Sequence, residues 1–226
     1  LSTWQMMPLH APYASGHVVS EQGFDASDWL AVQIPTTIVG GLHQAGAIEE
    51  PYTGRAIAEL AGYKDVPGHH VNVAKPADSP FDRPWWFRTT FSLPSEDRAP
   101  AWTPVLRLRL RGVNPAANVW LNGRRIAAAS HIVGTYTDFE LPVTGSLRWD
   151  GENVLALEVL PVEPDDLAIT FIDWNPMPPD DCAGIWRPVE WRVTGPVGLK
   201  QGWVATDLAG DLQTALLRPQ TTVSND

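Results

Sequence analysis

Residues 84–93 (PWWFRTTFSL) place Trp85, Phe87, Thr89, Phe91 and Leu93 on one side of an extended chain and Trp86, Arg88, Thr90 and Ser92 on the other. Residues 105–111 (VLRLRLR) alternate more strictly, setting Leu106, Leu108 and Leu110 against Arg107, Arg109 and Arg111. A period of two suits antiparallel strands with one face toward a core, and no stretch shows a long helical period. Further strands are predicted at 134–141, 153–160, 185–194 and 197–206, and at 118–121 and 125–129, where Asn122-Gly123 tolerates the positive φ of a tight hairpin. One short helix is predicted over 36–44, capped by Thr36 or Thr37 after Pro35 and ended by Gly46. Many short strands with loop spacers predict an all-β fold, a sandwich or jelly roll with one short helix. Two long stretches, 45–84 and 161–183, keep no regular pattern, and loops of that length usually serve a function.

Composition removes several classes of partner. The 226 residues carry 16 basic and 26 acidic side chains, a formal net charge of -10, with no local block of Lys or Arg. Such a surface repels phosphate backbones and anionic lipid, so neither nucleic acid nor membrane is expected as a partner. No apolar run approaches the roughly 20 residues needed to span a bilayer, and LSTWQMMPLH lacks the regions of a signal peptide. A leader already removed would leave the same start, so secreted and cytoplasmic locations both fit. The single cysteine, Cys182, excludes an internal disulfide framework. Its neighbour Asp181 should raise its pKa, which argues against a nucleophile. The adjacent His69 and His70 do not share a face as metal ligands would, and neither metal nor cofactor is expected. Tryptophan occurs 11 times, which suits stacking on sugar rings and core packing alike.

Five strings, PWWFRTTF (84–91), VWLNG (119–123), GTYTDFELPVT (134–144), GENVLALEV (151–159) and GIWRPVEW (184–191), stand in the order in which they occur in the sugar-binding domain of glycoside hydrolase family 2. The upstream IPTTIVGGLHQAG and PYTG also resemble that family, and the likeness covers roughly residues 25–196. The resemblance implies a galactose-binding-domain-like jelly-roll β-sandwich followed by an immunoglobulin-like sandwich and then a (β/α)8 barrel with an acid/base Glu and a nucleophile Glu. The string at 173–187 (DWNPMPPDDCAGIWR) looks most like the branch of exo-β-D-glucosaminidases and mannosidase-type enzymes. On this reading residues 1–196 form the sandwich. Residues 197–226 give closing strands and the truncated start of the second domain, because an immunoglobulin-like sandwich needs about 100 residues.

Retaining glycosidases need two carboxyl groups about 5 to 5.5 Å apart, one with a raised pKa. The pairs Asp165 with Asp166 and Asp180 with Asp181 read most simply as solvated loop residues, so no catalytic residue is assigned and the chain alone is expected to be inactive. In the family the loop matching 173–187 reaches toward the barrel. By position it makes Asp173, Trp174, Asn175 and Asp180 candidates for a substrate subsite or an interdomain contact. The alternative is a structural turn, with Asp173 capping the loop and Trp174 packed beneath it. Trp186 and Arg187 are expected to scaffold the loop, Arg187 through a bidentate pair with Asp173 or Asp180. Three roles remain open: an accessory domain that meets sugar weakly or only with a downstream barrel, an independent carbohydrate-binding module, and a structural scaffold for downstream domains of the same chain.

Overall fold

The computed structural model describes residues 1–9, 15–63, 75–94, 104–169 and 178–225. Its frame is a sandwich. One layer is a six-stranded antiparallel sheet built from β1 (Thr3–Pro8), β2 (Leu30–Gln33), β4 (Trp85–Ser92), β6 (Ala117–Leu121), β7 (Arg124–Ala127) and β9 (Glu152–Val159) in the order β2-β1-β4-β9-β6-β7. The facing layer is β5 (Val105–Leu110) between β8 (Phe139–Pro142) and β11 (Val189–Thr194). A two-residue pair, β3 (Thr36–Thr37) with β10 (Gly184–Ile185), closes one side.

Register follows from the alternation. Trp85 pairs with Val159, Phe87 with Leu157 and Thr89 with Leu155 across β4 and β9, and Val119 and Leu121 of β6 continue the same rows. Apart from Thr89, these side chains meet Leu106, Leu108 and Leu110 in one buried cluster with Trp4, Met6 and Ile185. Each fully buried leucine there contributes roughly 2 kcal/mol relative to exposure. The indole N–H groups of Trp4 and Trp85 donate to the carbonyls of Leu1 (3.2 Å) and Pro80 (2.9 Å), so neither aromatic brings an unmet donor into the core.

The six-stranded sheet is covered on its outer face as well. The helix α1 (Gly16–Val19) and the turns after it lie over Trp86, Ala156 and Trp120. Arg88 holds this cover by donating from Nε to Val19 O (3.0 Å) and from Nη2 to Glu21 O (3.4 Å). Trp86 and Arg88 are therefore buried although their parity puts them opposite the core.

Several predicted elements shift. The helix α2 runs Ile38–Gln44, and Thr37, assigned to β3, accepts the Gly40 N–H as its cap (3.2 Å). Asn122 and Gly123 have φ of 50° and 81°, the hairpin geometry expected of that dipeptide. Asn122 also anchors the turn to β9, its Oδ1 accepting from Val154 N and its Nδ2 donating to Asn153 Oδ1. The strand predicted at 134–141 is confined to Phe139–Pro142, because Gly134 (φ 102°) and Thr137 close a turn through a 3.0 Å hydrogen bond. The strand predicted at 185–194 is split around Pro188, whose ring removes a ladder donor. In the irregular stretch 45–84 the described part carries one short helix, α3 (Ala56–Leu60); His69 and His70 lie outside the described residues.

Beyond the sandwich, β12 (Val197–Leu208) and β13 (Ala215–Asn225) pair only with each other among the described residues. Their register sorts the ribbon into two faces. One carries Val197, Leu199, Val204, Leu208, Leu217 and Val223, each 54–62 % exposed. The other carries Lys200, Gln220, Thr222 and the Asp207–Arg218 ion pair, together with Trp203 and Leu216.

Candidate functional site

The loops at 134–137, 161–169 and 178–187 converge with the start of α2 at one end of the sandwich. Asp180 is central to this cluster and 1 % exposed. Its Oδ2 accepts the N–H of Val39 at 2.8 Å, its Oδ1 the N–H of Cys182 at 3.0 Å, and the Thr37 side chain also bonds it. Ala183 O accepts the neighbouring Ile38 N–H at 2.8 Å. The 180–183 turn thus supplies acceptors to the first turn of α2, whose N–H groups have no partners within the helix. Burial pushes the Asp180 carboxyl up to about 6; the three donors oppose that rise and Asp181 adds to it.

Asp181 sits next to it at φ 48° and forms an ion pair with Lys75. Tyr63, buried nearby, has its pKa raised by burial first and then by Asp181 and Asp82. The Cys182 thiol, at φ 58°, is pushed up to about 12 by burial and by both aspartates, which keeps it protonated and unreactive at neutral pH. Gly184 brings the turn against β3. A Cβ there would lie 2.6 Å from Thr36 O and 2.7 Å from Thr37 Cα, so no other residue fits without moving backbone.

Trp186 and Arg187 leave this turn toward solvent. The Trp186 Nε1 donates to Thr135 O at 3.0 Å, the Arg187 guanidinium lies 4.4 Å above its ring, and Tyr136 meets its edge at 5.4 Å and 81°. Tyr136 itself is 72 % exposed. Arg187 is thus engaged with Trp186 while Asp180 faces backbone donors, and among the described residues no ion pair joins the two. Asp173, Trp174 and Asn175 lie outside the described residues. Trp191 points the opposite way, stacking on Phe91 at 4.9 Å against the core.

Sequence reasoning did not single out Lys75, Tyr63, Thr135 or Asn114. Asn114 is fully buried, and a buried amide must find partners. Which partners is decided by three loops distant in sequence. Chemically the described part of the cluster consists of carboxylates occupied by backbone donors or by Lys75, a protonated thiol, and an exposed Tyr136 set against the half-buried Trp186. Among the described residues this cluster holds loops together and presents a surface. Among the described residues no group of three His, Cys, Asp or Glu side chains is placed to hold a metal.

A two-layer antiparallel sandwich with loops gathered at one end defines a galactose-binding-like, jelly-roll domain, and residues 74–165 match the family model described as the glycosyl hydrolase 2 galactose-binding domain-like domain. The chain carries the galactose-binding-like N-terminal domain of glycoside hydrolase family 2. It is 31% identical over 217 residues to the exo-β-D-glucosaminidase of Amycolatopsis orientalis, covering 96% of this chain and 19% of that one. The exo-β-D-glucosaminidase of Streptomyces avermitilis is 32% identical over 210 residues, 92% of this chain and 21% of its own. The crystal structure of the Amycolatopsis orientalis exo-chitosanase CsxA superposes with a TM-score of 0.83 at 28% identity, over 100% of this chain and 24% of that chain. A β-D-mannosidase from Dictyoglomus thermophilum shares the fold at a TM-score of 0.66 and 16% identity. The chain spans about a fifth of the length of the curated relatives it matches.

Proposed function

We propose that this chain is the non-catalytic sugar-binding-type domain of an exo-acting β-glycosidase, with terminal β-glucosaminides favoured over mannosides, and that hydrolysis is carried out by a barrel elsewhere in the polypeptide. The observation that carries this reading is the match along 96% of the chain to a fifth of an exo-β-D-glucosaminidase. The loop end lends a wall to the barrel's subsite, and by the family resemblance Asp173, Trp174 and Asn175 are its candidates to face sugar or the barrel.

The ribbon supports the same arrangement. An isolated two-stranded ribbon is marginal in water, and six exposed apolar side chains on one face ask for a second layer. A further sheet of the same polypeptide supplies that layer, making 197–225 the opening strands of an immunoglobulin-like domain. The test compares this chain with the longer polypeptide on aryl β-D-glucosaminides and β-D-mannosides. Turnover only by the longer form is expected, and turnover by residues 1–226 alone would refute the accessory role.

A second reading, an independent carbohydrate-binding module, is favoured by the exposed Tyr136 set against Trp186 and Arg187. Saturable shifts of indole N–H signals on titration with glucosamine, without turnover, would select it.

A further inference from the structure

One buried side chain ties three loops together. Asn114 Nδ2 donates to Ile169 O at 2.9 Å and to Asp181 O at 3.0 Å, while Oδ1 accepts from Thr135 Oγ1 at 2.6 Å and from Ile169 N at 3.1 Å. These four bonds use both donors and both lone pairs of the amide. Its main chain adds a reciprocal pair with Gly184, N to O and O to N, each 3.0 Å. The Thr135 hydroxyl also lies 3.0 Å from Leu167 O, and Thr135 O receives the Trp186 indole N–H. Positions 169 and 181 are thereby held to one amide, and the Tyr136–Trp186–Arg187 surface is held to the same amide through Thr135. A saturated amide network in a core fixes a single arrangement, because every alternative leaves a buried polar group unmet. An apolar residue would fill the same space without specifying where the loops sit.

We propose that Asn114 is a positioning residue, which sets the placement of the 134–136, 167–169 and 181–187 loops relative to one another so that they present a preformed face to the sugar subsite. The substrate part of this inference rests on the glycosidase reading above; the loop placement does not.

Hydrogen exchange on the chain 1–226 tests the placement. Asn114→Ala is expected to raise exchange at least tenfold in 134–136, 167–169 and 181–187 while β9 keeps its protection. Asn114→Asp keeps the acceptors and removes the two donors, so 181–187 should open and 134–136 should not. If Asn114→Ala does not fold, Thr135→Val should loosen 134–136, the Trp186 indole and the contact to Leu167 while 181–184 stays protected, with Thr135→Ser restoring all three. Exchange that rises evenly over β4 and β9, or nowhere, overturns the inference. In the longer polypeptide, Asn114→Asp should raise KM on an aryl β-D-glucosaminide about tenfold with kcat within twofold. A core variant matched in thermal stability, such as Leu157→Ala, should leave KM alone. Equal KM in the two variants overturns the role toward substrate. An inactive wild-type polypeptide would refute the glycosidase reading only, with loop placement judged by exchange.

Discussion

Asp180 Oδ2 accepts the backbone N–H of Val39 at 2.8 Å across 141 positions of sequence. This bond joins the loop before the last sandwich strands to the first turn of α2, and the carboxylate making it is fully out of water. Its charged state therefore carries a desolvation cost that its donors only partly offset.

A pH dependence follows with a definite sign. The Asp180 carboxyl titrates at about 6 in the folded chain against an ordinary 3.8, with burial the largest cause. The stability this group contributes is fully present below about 3.8 and is lost as pH rises through about 6, amounting to about 3 kcal/mol for a shift of roughly two units. Urea unfolding of the wild type and Asp180→Asn between pH 4 and 7.5 should show the wild type losing ground to the variant as pH rises. A difference that moves the other way would contradict this account of the site.

Gly184→Ala should cost about 3 kcal/mol, because the added Cβ meets the backbone of Thr36 and Thr37 and no side chain can move aside. Gly195→Ala is the control, since nothing lies within 4 Å of its Cβ position. Thermal melts of the two should separate clearly; equal midpoints would mean that the β3–β10 pair yields easily.

Arg88→Met should destabilise the chain by about 2 to 4 kcal/mol, since it leaves the carbonyls of Val19 and Glu21 without their buried donor. The damage should centre on residues 15–24, seen as faster amide exchange there than in β4 itself. Faster exchange across the whole six-stranded sheet would show instead that Arg88 supports the sandwich as a unit.

Leu199→Lys combined with Leu217→Lys should leave the melting temperature of the sandwich within about 2 °C, because the ribbon is a separate sheet. The same change should abolish any self-association and dye binding caused by the apolar face. Sedimentation and a hydrophobic dye check both. A large fall in melting temperature would show that this face already packs on the sandwich.

Alternation in the sequence determined the strands, their inward faces and the Asn122-Gly123 hairpin, because a two-residue period leaves a half-buried strand only one way to face the core. The ordered strings then determined the family, since several weak matches in fixed order constrain the chain more than any one alone. Tertiary structure decided what covers the second face. Trp86 and Arg88 alternate as solvent-facing residues do, yet both are buried, and no local pattern records that residues 15–29 fold across the outer face of the six-stranded sheet. The same applies at the loop end. Asp180 and Asp181 read as solvated loop carboxylates, but an unpaired helix terminus and a lysine more than a hundred positions away take them inside. Asn114 likewise had no readable role, since a buried amide is defined by its partners and these lie at positions 135, 169, 181 and 184. Local sequence governs periodicity and turn geometry through short-range sterics; burial of a polar group is settled by whichever distant donors the folded chain brings within about 3 Å.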